Sequence, residues 1–140
     1  MQNDPNITLV TPDAPIATQT HGGRAKCLQR LVRLNLPVPK TVALSFVSVL
    51  DIASGHLPNI EAILKQFPED ALLCVRPSSE DPDWGGPSAV LTIGLSTARF
   101  DTLCATLGTD AASSLFTRFV QSYAIHVERL DPDMFDDVKG

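Results

Sequence analysis

Apolar residues recur along this chain in short blocks whose spacing switches between an extended and a helical period. Residues 7–10 form a β-prone run that stops at Thr11-Pro12, and a polar, turn-rich stretch continues to His21-Gly22-Gly23. From Arg24 to Leu34 the period is helical. Leu28, Leu31, Val32 and Leu34 share one face, and Lys26, Gln29, Arg30 and Arg33 fall mostly on the other. Asn35 suits the end of that helix, and Pro37 and Pro39 forbid its continuation. Residues 41–46 are β-branched and apolar enough for a strand. Residues 47–54, closed by Gly55, fit one or two helical turns, and residues 59–67 a short helix with Ile60, Ile63, Leu64 and Phe67 inward.

The second half repeats the mixture. Residues 71–75 are a continuous apolar run of strand length, expected to be buried on both faces, with Cys74 inside it. Arg76 to Ser88 holds Pro77, Pro82, Gly85, Gly86 and Pro87, a density that predicts a loop. Residues 89–93 return to strand, and residues 97–107 predict a helix ended by Gly108. Asp110 then caps the longest predicted helix, 111 to about 130. Its stripe of Leu115, Phe116, Phe119, Tyr123, Val127 and Leu130 has the spacing of a core-facing side. Asp131-Pro132 ends it, and the acidic tail, 131–140, is expected to fray. Strands and helices do not alternate regularly. The class is therefore α+β: a small mixed sheet packed with helices, and a long C-terminal helix.

Composition narrows the function more than the fold. At 140 residues, 44% apolar and 19% charged, the chain fits one globular domain: a leading segment 1–20, a body 21–130 and the tail. Its net charge of −5 argues against nucleic-acid binding, which needs a concentrated basic face. No apolar run approaches the length of a membrane span. Residues 1–15 lack the basic and apolar regions of a signal peptide. Cys27, Cys74 and Cys104 form no C-x-x-C pair and imply no disulfide framework, so a cytoplasmic setting and buried structural thiols are expected.

Two places depart from a plain core. Gly22-Gly23-Arg24 heads the first clear helix, where glycines permit close backbone approach, free N–H groups face an anion, and a guanidinium matches phosphate oxygens. A simple turn with a solvated arginine is the competing reading. Arg76 leaves the buried run into the glycine-rich loop, a common position for a ligand-holding cation; pairing with Glu80, Asp81 or Asp83 is the alternative there. His21, His56 and His126 show no metal-ligand spacing, and no nucleophile–base pair is visible.

Longer stretches carry a family resemblance. Gly22-Gly23-Arg24-Ala25-Lys26-Cys27-Leu28, with Leu31, Leu34 and Leu36-Pro37-Val38-Pro39, resembles the opening G-G-K-G-A-N-L-x-x-M-x-x-L-G-L-P-V-P of pyruvate phosphate dikinases and phosphoenolpyruvate synthases. Leu73-Cys74-Val75-Arg76-Pro77-Ser78 resembles their L-V-S-V-R-S segment. From Arg76 the spacing runs unbroken through Gly85 to Val90-Leu91-Thr92-Ile93-Gly94-Leu95, similar to M-P-G-M-M-D-T-V-L-N-I-G-L, and residues 116–123 resemble the R-R-F-I-Q-M-Y helix.

The resemblance implies the N-terminal subdomain of an ATP-grasp nucleotide-binding region. By that likeness Gly23, Arg24 and Arg76 hold ATP phosphates and Gly85 and Gly86 belong to the loop covering them, with Mg accompanying the nucleotide. Arg24 replaces the family lysine, Thr41 stands where the family has glycine, and Trp84-Gly85-Gly86-Pro87-Ser88 replaces the P-G-M-M-D loop. The family's metal-binding carboxylates, adenine pocket, phosphohistidine domain and pyruvate-binding barrel fall outside the matched stretch. The expectation is thus a subdomain that binds nucleotide phosphates weakly and is incomplete for phosphotransfer, with a second chain as one means of completing the cleft. A non-catalytic protein-interaction module that kept the fold and lost the ligand is the alternative.

Overall fold

Hydrophobic blocks this short can cover only small sheets, and two small sheets are what they build. The computed structural model describes residues 4–81, 83 and 89–138. Within them, residues 4–69 and 78–81 form one compact unit, and residues 70–77 and 89–138 a second. The predicted single mixed sheet is corrected to two separate two-stranded antiparallel sheets, one in each unit. With the described helices they make a small mixed α/β protein.

In the first unit β1 (Ile7–Leu9) pairs with β2 (Val42–Leu44) in the register Thr8↔Ala43, and the Val10 N–H extends the pairing to Thr41 O at 2.9 Å. Between them runs α1 (Thr18–Arg33). Val10, Ile16, Ala25 and Ala43 form the core, with Ala14, Leu28 and Val32 against it. The helix begins six residues before the predicted Arg24, because its first turn is polar and carries no apolar period. Gln29, placed by that period on the solvent side, is fully buried. Its Nε2 donates to Thr11 O (3.1 Å) and Ala14 O (2.7 Å), and its Oε1 accepts from Lys26 Nζ (2.8 Å). These bonds satisfy backbone carbonyls of the irregular segment 11–16, which no strand or helix pairs. Next, α2 (Phe46–Ala53) starts at Ser45, whose Oγ accepts from Ser48 N–H, and α3 (Ile60–Leu64) starts at Asn59, whose Oδ1 accepts from Ala62 N–H.

In the second unit β3 (Leu73–Val75) pairs with β4 (Val90–Ile93) across an irregularity in register, with Thr92 at φ 55°. α4 (Thr97–Leu107), capped by Ser96, and α5 (Thr109–His126) follow. Phe100 meets Phe116 edge-on at 5.6 Å, while Leu95 and Ala112 are the buried apolar residues. Two expectations about burial are corrected here. Residues 71–75 are not buried on both faces: Cys74 is exposed and Val75 is 63% exposed. A continuous apolar run has no period from which to tell one covered face from two, and in this unit one sheet meets one layer of helices. Cys27, likewise, is exposed rather than buried.

The α5 stripe is core only at its start. Leu115, Phe116 and Phe119 are half-buried, but Tyr123, Val127 and Leu130 are exposed. The helix ends at His126, short of Leu130, and Arg129 at φ 57° turns the chain out of it. The cap is Gly108, with Asp110 in the first turn. The tail, expected to fray, instead forms a 3-10 helix (Pro132–Val138), begun by an Asp131 Oδ1 that accepts the Asp133 N–H at 3.0 Å.

Candidate functional site

The site begins with a break in α1. Gly22 sits at φ 85°, ψ 166°, a region that only glycine occupies without strain, and it kinks Thr18–Arg33 into a leading turn and a main helix starting at Gly23. The kink allows a second segment to lie against the helix. Gly23 N–H donates to Ser79 O at 2.8 Å, and Ala25 N–H donates to Ser78 Oγ at 3.2 Å. A β-carbon on Gly22 would stand 2.6 Å from the Ser78 carbonyl carbon and 2.8 Å from Ser79 N. Within the first unit Gly22-Gly23 thus meets the Ser78-Ser79 segment. The meeting also uses two of the helix N-terminal donors, so those N–H groups are satisfied by protein.

Arg24 is exposed at the head of the main helix and makes no hydrogen bond or ion pair with any described residue. Arg76, exposed at the end of β3, likewise forms no ion pair with Glu80, Asp81 or any other described residue. The competing sequence reading of Arg76 as a local salt-bridge partner is not what is seen. Arg24 belongs to the first unit and Arg76 to the second. Lys26, next in line as a phosphate cation, is committed internally: its Nζ donates to Ile16 O (3.0 Å) and to Gln29 Oε1. Gly85 and Gly86 lie outside the described residues.

His21 is a component that sequence reading missed. It is 3% exposed and directly precedes the kink. Its Nδ1 lies 2.8 Å from Thr20 Oγ1, which itself donates to Ala17 O. Its Nε2 is buried and without a partner among the described residues. Burial holds its pKa below the ordinary 6.5, favouring the neutral ring. The signal was its place beside Gly22-Gly23, but a lone histidine carries no period that reveals burial.

Among the described residues no three His, Cys, Asp or Glu side chains are grouped to hold a metal ion, and no helix is long and apolar enough to cross a membrane. A groove of about 390 Å³ lies at the far end of α1, lined by Val10, Val32 and residues 35–40, away from Gly23. No protein family, curated protein or solved structure matches the chain.

Proposed function

We propose that this chain is a nucleotide-phosphate-binding subdomain of the kind found at the start of pyruvate phosphate dikinases, incomplete for phosphotransfer by itself. One observation carries the reading: the kinked glycine pair and the Ser78-Ser79 segment lie at hydrogen-bond distance, and Arg24 beside them is exposed and pairs with no described residue. An exposed guanidinium next to a helix N-terminus is a ready partner for phosphate oxygens. The ligand is the polyphosphate of ATP. Mg would arrive on the nucleotide; among the described residues no three His, Cys, Asp or Glu side chains are grouped to hold it.

Each charge-assisted contact contributes about 1.5–3 kcal/mol, so the few contacts an exposed arginine makes, less the ordering of the ligand, support roughly millimolar binding. Titrating ATP into the protein while following backbone amide shifts tests this. Shifts should cluster at residues 22–26 and 76–79. A flat response up to ~10 mM, above that affinity range, would overturn it.

The second reading, a protein-interaction module, is favoured by a different observation. The apolar core is small, while Leu50, Leu57, Leu64 and Val75 are each at least half exposed. Exposed aliphatic side chains suit a partner polypeptide, which in the first reading would be the chain that completes the cleft. Unlike the first, this reading expects no nucleotide response.

A further inference from the structure

The groove at the far end of α1 is a separate feature. The helix closes at Leu34, and Asn35 at φ 56° turns the chain into Leu36-Pro37-Val38-Pro39-Lys40. The prolines fix their own φ and push Leu36 and Val38, which precede them, into extended conformations, so this rim is stiff. Leu34 and Leu36 are 68% and 48% exposed beside it. The N–H groups of Val38 and Lys40 have no hydrogen-bond partner among the described residues.

The charge here is opposite to that of the whole molecule. Between Asp13 and Asp51 the chain has five basic residues and no acidic one, against a net charge of −5 overall. Lys26 is tied internally, and Arg33 gives only its Nε, to Pro12 O. Arg30, Arg33 and Lys40 are exposed and in no ion pair with a described residue. The last-turn arginines also offset the negative C-terminal end of the helix, which would otherwise repel an anion.

The complement is found in the same sequence. Asp131 and Asp133 are exposed, and Met134 between them and the rest of the acidic tail is 63% exposed. We propose that the groove of one copy receives residues 131–134 of a second copy. Met134 enters the groove, which has room for one flexible thioether side chain, and the aspartates meet Lys40, Arg33 and the free N–H groups of the rim. A pair in which each groove holds the other copy's tail is closed and symmetric.

Sedimentation velocity over a concentration series tests the proposal on the whole chain. The average mass should rise with concentration at about 50 mM salt and fall back at about 0.5 M, because the contacts are screened. Lys40→Glu and Asp133→Lys should each weaken association about tenfold over the two symmetric contacts. An equal mixture of the two variants should associate better than either alone, since both docking sites of a mixed pair then bring opposite charges together. Both positions are exposed, and recovery in the mixture shows that the variants are folded. Mass that does not change with concentration, association indifferent to both substitutions, or no gain on mixing would each overturn the proposal.

Discussion

At the scale of single residues, Gly22 decides whether the candidate site forms. Its φ of 85° excludes a side chain, and the Ser78–Ser79 backbone fills the space a β-carbon would take. Gly22→Ala should destabilise the first unit by about 2–4 kcal/mol, combining backbone strain with a clash against backbone that cannot rotate away. Urea unfolding measures it, with Gly55→Ala as the control for positive φ in open space. His21 gives a pH signature. Its folded pKa lies below the unfolded value near 6.5, so the unfolded chain binds more protons in that range. The stability His21 contributes is complete above that value and is lost as pH falls through it. Unfolding midpoints at pH 8 and pH 5.5 should therefore differ more for the natural chain than for His21→Leu. An equal pH response in the two would contradict a buried neutral ring.

At the scale of elements, caps explain the boundaries better than propensity. Ser45 both caps α2 and joins it to the leading strand: its Oγ accepts from Ser48 N–H and donates to Asn6 Oδ1 at 2.9 Å, and its N–H donates to Asn6 O. Ser45→Ala should cost about 1–2 kcal/mol in thermal or chemical unfolding, whereas Ser54→Ala, whose hydroxyl only bonds back to Leu50 O, should cost less than about 0.5 kcal/mol. Most elements were legible in the sequence where a period or a cap marked them. The helix at 97–107 was read to the residue, and the strands at 42–44 and 90–93 fell inside their apolar runs. The illegible parts depended on tertiary partners. The first turn of α1 is polar, Gln29 is buried by carbonyls eighteen and fifteen residues away, and the outward faces of β3 and late α5 lack a covering layer. Of the candidate site, the glycines and arginines stood out by residue type. The Ser78–Ser79 contact and the burial of His21 did not, because no local pattern links residues this far apart.

At the scale of the molecule, two small units with little core carry a basic stretch, 14–50, within an acidic chain. A basic patch steers anions without sequence selectivity, which is compatible with a nucleotide phosphate and with an acidic tail, at opposite ends of one helix. Phosphoryl transfer needs positioned cations and a metal site together. On the proposed reading the purified chain makes no phosphoenolpyruvate from pyruvate and ATP; turnover above that of an Arg76→Ala control would contradict that reading. We propose Arg24 in the first unit as a phosphate ligand, and Arg76 in the second as another. The affinity for ATP of four chains tests this most directly: natural, Arg24→Lys, Arg24→Ala and Arg76→Ala. Binding should be roughly millimolar in the natural chain, within about threefold of that in Arg24→Lys, and weaker by about tenfold or more in each alanine variant. Equal affinity in all four, or no binding in any, would contradict it.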